Sequence, residues 1–187
     1  MKTLSLYAVI LISIFSYNTS TAQSVKKVTL QASGLTCSMC SNSINKALRT
    51  IDYIENVRAN IQTSSFDITF KPGAKVKFDD LKMKVEDAGF SVAALSANVE
   101  FANASISNDE HITVDGMVFH FLNVKDQVLT GNKTIRILDK GFVSSKEYKK
   151  NEKLTKKECY KTGTAGTAGC CAKDGIAAGT RIYHVTI

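Results

Sequence analysis

The sequence has no tryptophan and a single proline, Pro72, among its 187 residues. One proline excludes a Pro-rich linker architecture, and ordinary shares of hydrophobic (44%) and charged (22%) residues exclude a disordered tail, a collagen-like repeat and a coiled coil. The net charge of +7 is spread along the chain, which argues against a nucleic-acid groove. We therefore predict one large or two small globular domains, with no nucleic acid among the partners.

Long hydrophobic runs are also missing, apart from residues 4–15. That run has about a dozen residues and is shorter than the ~20 that span a bilayer as a helix. Lys2 precedes it and small polar residues follow it up to Gln23, which is the pattern of a secretory signal peptide. No cysteine follows the run directly, so a lipoprotein anchor is not expected. We predict a signal peptide at 1–22, no stable membrane insertion and a periplasmic or secreted protein.

The first half of the chain shows alternating apolar residues in four segments and helical spacing in two others. The alternating segments predict strands and are residues 28–32, 57–61, 66–70 and 90–95. A stripe over residues 44–51 predicts a first helix, capped by Ser41 or Ser43. A second helix is predicted to begin near Asp79 and to end at Gly89. The order βαββαβ in about 70 residues predicts an α+β, ferredoxin-like sandwich.

Two cysteines lie three residues apart in the first strand-to-helix loop, Gly34-Leu35-Thr36-Cys37-Ser38-Met39-Cys40. At the start of a helix both sulfur atoms can turn toward one point, and the positive end of the helix dipole favours thiolates. Two close thiolates on an exposed loop suit a soft ion that accepts few ligands, such as Cu(I). The position of the pair between a predicted strand and a predicted helix makes the spacing more specific.

The loop over residues 34–40 resembles the G-[ML]-T-C-x-x-C loop of the heavy-metal-associated domain family, and residues 78–90 are similar to the closing segment of that family. The resemblance covers residues 25–97. It implies a ferredoxin-like fold, a soft metal that is usually Cu(I), and Cys37 and Cys40 as its ligands. It also implies that Phe90 lies before the fourth strand and packs near the metal.

Details of the same resemblance bear on the identity of the metal. Ser41 stands where Zn(II)- and Cd(II)-handling members often carry an acidic residue, which favours Cu(I) while Zn(II) stays open. Periplasmic mercury-binding members combine a leader with this domain, so Hg(II) stays open too, although they end with the domain and this chain continues to Ile187. We predict a periplasmic Cu(I) chaperone or scavenger, not an enzyme. It would pass its ion by ligand exchange to a metal-transporting or metal-accepting protein.

The alternative from a different class is a thiol–disulfide oxidoreductase, because a close cysteine pair in an oxidising compartment suits that chemistry. Thioredoxin-like enzymes usually carry a tryptophan before the first cysteine and a cis-proline facing it. In this chain Thr36 precedes Cys37, and Pro72 lies in a predicted hairpin turn. Metal binding is therefore favoured, and catalytic turnover of a disulfide substrate would separate the two.

Beyond residue 97 the helical pattern thins, which predicts two domains, at 23–97 and 98–187. A hairpin is predicted on the turn Asp115-Gly116. Further strands are predicted at residues 134–138 after a turn at Gly131-Asn132, at 158–161 and at 180–187, with a helix capped by Ser144 and Glu147 among them. Five strands with one helix predict a small OB-like barrel.

The second half contains three cysteines, Cys159, Cys170 and Cys171. A glycine-rich and therefore flexible loop over residues 163–169 is expected to let the vicinal pair approach Cys159. Three thiolates would form a second soft-metal site, with His120 or His184 as a helper. The alternative is a disulfide from Cys159 to Cys170 or Cys171 that staples a small exported domain. The spacing does not decide between the two.

Overall fold

The structure of the chain is a computed structural model that describes residues 24–35 and 37–187, except for the side chain of Cys170. The predicted signal peptide at 1–22 lies outside the described residues and stays a prediction. In the described part of the chain, no helix is both long enough and apolar enough to cross a membrane.

The described residues form eight strands, five α-helices and one short 3₁₀ helix. The strands are β1 (Ser24–Ser33), β2 (Ile54–Asn60), β3 (Ser65–Phe70), β4 (Ser91–Ile106), β5 (Glu110–Val114), β6 (Met117–Phe121), β7 (Gln127–Ile137) and β8 (Ile182–Thr186). The helices are α1 (Ser38–Arg49), α2 (Phe78–Asp87), α3 (Ser145–Asn151), α4 (Cys159–Thr162) and α5 (Cys170–Lys173), and the 3₁₀ helix is Glu152–Leu154. All eight strands belong to one sheet, in the order β2-β3-β1-β4-β7-β8-β6-β5.

The first half of the chain forms the predicted ferredoxin-like βαββαβ unit. Its strands pair antiparallel in the order β2-β3-β1-β4, and α1 packs against α2, so both helices lie on the same face. The apolar residues that alternate along the strands, such as Val28, Leu30 and Phe66, are fully buried. Ile44 of α1 and Leu81 of α2 belong to the same core. The period of two along the strands therefore identified the buried face correctly.

β4 joins the two halves of the sheet. This strand of 16 residues pairs with β1 through residues 91–100 and with β7 through residues 96–106. The boundary predicted between residues 97 and 98 therefore falls inside a strand, and the division into two domains stays a prediction. The predicted OB-like barrel over 98–187 is not confirmed, because β7, β8, β6 and β5 continue the sheet in linear order. Alternation identifies strands but does not specify their partners.

One hydrophobic core extends under both halves of the sheet. Phe78, the first residue of α2, is fully buried, and its ring centroid lies 4.9 Å from that of Tyr183 in β8 and 6.4 Å from that of Phe119 in β6. A helix of the ferredoxin-like unit thus also covers strands of the second half. Aromatic side chains supply large buried areas, so this contact stabilises the two halves against each other.

Two local predictions in the second half are wrong. Residues 159–162 form a single helical turn, α4, which ends at Gly163 in the left-handed conformation, instead of a strand at 158–161. Four residues are too few for the period of a helix to be distinguished from that of a strand. Gly131-Asn132 is not a turn, since β7 runs through it opposite Glu100 and Phe101 of β4.

Two other local predictions are confirmed. β5 and β6 form a hairpin in which Val114 pairs with Met117, and Asp115 and Gly116 both have positive φ (52° and 75°), as a type I′ turn requires. The predicted cap of α3 is present, because the Ser144 hydroxyl accepts a hydrogen bond from the Glu147 backbone N–H.

Candidate metal centre

The two cysteines of the first loop lie side by side at the N-terminus of α1. Their Sγ atoms are 2.6 Å apart. Cys37 is the N-cap residue: its backbone is extended, and its Sγ accepts a hydrogen bond from the Cys40 backbone N–H at 3.3 Å. The predicted caps are wrong, because the helix begins one turn before its apolar stripe. Ser41 is buried, and the Ser43 hydroxyl donates to the Met39 carbonyl within the helix.

The surroundings of Cys37 favour its thiolate form. Hydrogen bonds from the Cys40 thiol and from the backbone N–H groups of Cys40 and Met39 lower the pKa of the Cys37 thiol. The first turn of α1, whose residues are all described, contains no acidic side chain. The positive end of the helix dipole is therefore not neutralised from within that turn. Thiolates are the form of cysteine that binds metal ions.

The pair is also accessible from outside. Cys37 is exposed, Cys40 is half-buried, and the Met39 side chain between them is 80% exposed. An ion held about 2.3 Å from each sulfur would need the two atoms further apart than they are now, and the exposed side chain of Cys37 has room to rotate. Leu35, within the loop, and Phe90, directly before β4, are partly buried and pack against the core. The arrangement allows the thiol groups of another protein to reach a bound ion.

A second group of metal-ligating side chains lies in the other half of the chain, on a row of three histidines. His111, His120 and His184 are cross-strand partners on β5, β6 and β8, and their neighbouring ring centroids are 4.5 and 4.9 Å apart. Each ring lies against a carboxylate. The nitrogen–oxygen distances are 2.7 Å from His111 Nδ1 to Asp174, 2.8 Å from His120 Nε2 to Asp109 and 2.6 Å from His184 Nδ1 to Asp139.

The surroundings of His111 and His120 favour the neutral form of their rings. Burial lowers the pKa of His111. Burial and the neighbouring His184 and His111 lower the pKa of His120 to about 3. A neutral imidazole keeps one nitrogen lone pair, which is the form that binds metal ions.

Two of the three cysteines of the second half approach this row from the short helices. Cys159 Sγ lies 3.7 Å from His111 Nε2 and 3.8 Å from His120 Nδ1, and Cys171 Sγ lies 4.0 Å from His111 Nε2. The structure thus brings Cys159 to the predicted helper His120. The predicted approach of Cys170 concerns a side chain outside the described residues.

The other predicted helper, His184, lies one strand further along the row. Its Nε2 is buried and has no hydrogen-bond partner within the described residues. The ligand atoms that lie within 4.8 Å of one another come from His111, His120 and Cys159. His184 is therefore not brought into this group.

Sequence reasoning missed His111. The signal for it was the turn Asp115-Gly116, because a two-residue hairpin loop fixes the register of its strands. Counting outward from Val114 opposite Met117 places His111 directly opposite His120, as the structure has it. The contact of these histidines with α4 and α5 had no comparable local signal.

The glycine-rich loop over residues 163–169 was predicted to be flexible. In the structure, backbone hydrogen bonds connect it to residues 179–180. The Ala165 N–H donates to the Thr180 carbonyl at 2.9 Å, and the Gly179 N–H donates to the Ala165 carbonyl at 2.8 Å. The loop borders a cavity of about 350 Å³ whose lining includes Cys159 and Cys171. Both sulfur-bearing residues are therefore reached from one surface opening.

The comparisons with known proteins concern the first half of the chain. The model of the heavy-metal-associated domain matches residues 29–91. A probable copper-exporting P-type ATPase of Archaeoglobus fulgidus is 37% identical over 76 residues, which are 38% of this chain and 9% of the ATPase. The chain therefore spans less than a tenth of that relative.

Two shorter relatives are matched over much more of their length. The copper chaperone CopZ of Bacillus subtilis is 28% identical over 69 residues, which are 37% of this chain and 99% of the chaperone. The periplasmic component of mercuric transport of Pseudomonas fluorescens is 35% identical over 63 residues, which are 34% of this chain and 68% of that protein.

Proposed function

Because the chain belongs, through residues 29–91, to the heavy-metal-associated domain family, we propose that it is an exported carrier of Cu(I). Cys37 and Cys40 bind the ion as thiolates. The observation that carries the proposal is the pair of Sγ atoms 2.6 Å apart at an exposed helix N-terminus. Two converging thiolates match the preference of Cu(I) for soft donors.

Release of the ion proceeds by exchange of thiolate ligands. A thiol of the acceptor loses its proton, bonds to copper and displaces one cysteine sulfur, which takes up a proton. A second acceptor thiol repeats the step and frees the other cysteine. Copper stays Cu(I) throughout, so no electron donor or acceptor is needed. The exposure of Cys37 and Met39 gives the acceptor a path to the ion.

The proposed acceptor is a metal-transporting protein that presents its own pair of thiols. The similarity to a probable copper-exporting ATPase and to a copper chaperone supports this class of partner. The predicted signal peptide at 1–22 supports export, so the acceptor would meet the carrier in the periplasm or outside the cell.

The test is an anaerobic Cu(I) titration of the reduced protein, followed by native mass spectrometry. We expect the Cys37→Ser/Cys40→Ser variant to bind one copper fewer than the wild type. Met39→Leu is the matched control, because it removes the thioether from the same loop and should leave the copper count unchanged. A wild-type protein that binds no copper tightly, or a double variant with an unchanged count, overturns the proposal.

Hg(II) is the second candidate cargo, and the similarity to a periplasmic component of mercuric transport favours it. Affinity alone does not separate the two ions, since paired thiolates bind both. Growth of a strain that lacks this protein does separate them, because sensitivity to copper salts supports Cu(I) and sensitivity to mercuric salts supports Hg(II). If the metal-free protein instead catalyses disulfide exchange with turnover, the cysteine pair belongs to an oxidoreductase.

A further inference from the structure

We infer that the second half of the chain contains a separate tetrahedral Zn(II) site formed by His111, His120, Cys159 and Cys171. The histidines come from β5 and β6, and the cysteines come from α4 and α5, which cover these strands. None of the four residues belongs to the part of the chain that the heavy-metal-associated domain matches, residues 29–91. The inference is therefore independent of the Cu(I) proposal.

The donor atoms of His111, His120 and Cys159 lie within 4.8 Å of one another, which is close to the spacing in a tetrahedral zinc site. With Zn–S bonds of about 2.3 Å, Zn–N bonds of about 2.0–2.1 Å and tetrahedral angles, a sulfur and a nitrogen are separated by about 3.6 Å. The Sγ of Cys159 lies 3.7 Å from His111 Nε2 and 3.8 Å from His120 Nδ1. The Sγ of Cys171 lies 4.0 Å from His111 Nε2. Shifts of a few tenths of an ångström bring these three pairs to the spacing that zinc imposes. Cys171 lies outside the group formed by His111, His120 and Cys159, so its side chain has to move toward them to complete the tetrahedron.

The orientation of both imidazole rings is the second observation. Asp174 lies against Nδ1 of His111, and Asp109 lies against Nε2 of His120, so the opposite nitrogen of each ring faces Cys159. A carboxylate that holds the proton on the outer nitrogen leaves the lone pair of the inner nitrogen for a metal, which is the usual outer shell of zinc-bound histidine. Asp109 is itself held by the Thr155 hydroxyl.

The donor atoms are buried in an apolar shell. The side chains of His111 and His120 are 2% and 0% exposed, and Cys159 and Cys171 are each 3% exposed. Val118 and Ile182 belong to the same buried cluster as the two cysteines. An ion in such a shell is well protected from water, and its charge is offset by two thiolates and the two outer carboxylates.

The covering segment has the kind of structure that a metal ion stabilises. The helices α4 and α5 have four residues each, and helices this short are not stable by themselves. A zinc ion that bonds to both of them and to two strands would fix this segment on the sheet, as in small domains that fold around structural zinc. The cavity bordered by Cys159 and Cys171 supplies the entry path.

The mixed donor set favours Zn(II) over the proposed cargo of the first loop. Two imidazoles and two thiolates in a tetrahedral arrangement are typical of zinc, whereas Cu(I) prefers fewer and softer ligands. Four protein ligands leave no open coordination position, which is typical of a structural site.

The test uses the reduced Cys37→Ser/Cys40→Ser protein, so that metal on the first loop does not contribute. We expect native mass spectrometry to show one Zn(II) per chain. Co(II), used as a spectroscopic probe, should give the intense ligand-field absorption of a tetrahedral site together with a thiolate-to-cobalt charge-transfer band, and Zn(II) should displace it. Cys159→Ser and Cys171→Ser should each lower that charge-transfer band by about half, because one of two thiolates is lost.

Asp174→Asn keeps the inference falsifiable if the cysteine variants do not fold. Asp174 is a positioning residue whose side chain is 42% exposed, so its replacement should leave the fold intact. We expect the affinity for Zn(II), measured by competition with a chelating dye, to fall about 10- to 100-fold. Asp126→Asn, at another exposed aspartate, is the matched control and should leave the affinity unchanged.

Three results would overturn the inference: no Zn(II) bound to the reduced protein, a Co(II) spectrum without tetrahedral and thiolate bands, or equal affinities of Asp174→Asn and its parent. Each leaves the Cu(I) proposal untouched, because the protein used here lacks Cys37 and Cys40.

Discussion

Arg181 donates two hydrogen bonds to Asp79, a residue 102 positions earlier in the chain, from Nε at 2.8 Å and from Nη2 at 3.3 Å. Asp79 lies in the first turn of α2, and Arg181 directly precedes β8. Nη2 of the same guanidinium also donates to Asp139 at 3.3 Å, and Asp139 in turn holds His184. A chain of charged groups therefore links the ferredoxin-like unit to the histidine row of the second half.

Asp79→Asn should destabilise the whole protein. It removes the charge that pairs with Arg181 and that accepts a hydrogen bond from the Tyr183 hydroxyl at 3.0 Å. Because both partners of the ion pair are partly exposed, we expect a loss of only about 1–2 kcal/mol in the free energy of unfolding. Urea denaturation measures it. Asp87→Asn, at the exposed end of the same helix, should change the value by less than about 0.5 kcal/mol. Equal effects of the two substitutions would contradict the role of the contact.

The contribution of Asp79 should depend on pH. Burial alone would raise the pKa of the Asp79 carboxyl, but the hydrogen bonds and charge of Arg181 outweigh it and hold this pKa below the ordinary value of 3.8. A carboxyl with a lower pKa in the folded state stabilises the protein fully above its unfolded pKa of about 3.9, and that stabilisation is lost as the pH falls through the folded pKa.

The measurement is the difference in unfolding free energy between the wild type and Asp79→Asn across a pH series. It should be constant from about pH 7 to pH 5 and should shrink below about pH 4. A difference that grows on acidification would mean that the pKa of Asp79 is raised instead.

The two halves of the chain should unfold together, and Phe78→Ala should lower the free energy of unfolding of the whole protein. The Phe78 ring fills the space between α2 and the strands of the second half, so its removal should cost about 3–5 kcal/mol. Tyrosine fluorescence and far-ultraviolet circular dichroism should follow one coincident transition in the wild type. Met83→Ala is the control on the same helix, since Met83 is 49% exposed. Two separate transitions in the wild type would show that the halves are independent domains.

The first half of the fold could be predicted from the sequence because its signals are local. The alternation in β1 and β3, the helical stripes and Gly89 just beyond the end of α2 all specify elements within a few residues of themselves. The hairpin at Asp115-Gly116 is local in the same sense. Cys37 and Cys40 were identified by their spacing together with their position between a predicted strand and a predicted helix, and the resemblance to the heavy-metal-associated domain family implied their role as ligands.

The second half could not be predicted in the same way, because its structure depends on pairing between distant segments. The parallel contact of β6 with β8 joins residues about 60 positions apart, and no local pattern specifies it. Cys159 lies on a one-turn helix that is too short to show a period. The aspartates that hold the histidines come from three separate loops, at residues 109, 139 and 174.

Cys37 has two roles that substitution can separate, as a proposed copper ligand and as the N-cap of α1. Serine keeps a side-chain acceptor for the Cys40 backbone N–H, whereas alanine does not. We expect Cys37→Ser and Cys37→Ala both to lose tight Cu(I) binding in the anaerobic titration. Only Cys37→Ala should lower the urea midpoint of the metal-free protein, because only it leaves that N–H without its cap. Equal midpoints for the two variants would exclude the capping role, and copper retained by Cys37→Ser would exclude the thiolate as a required ligand.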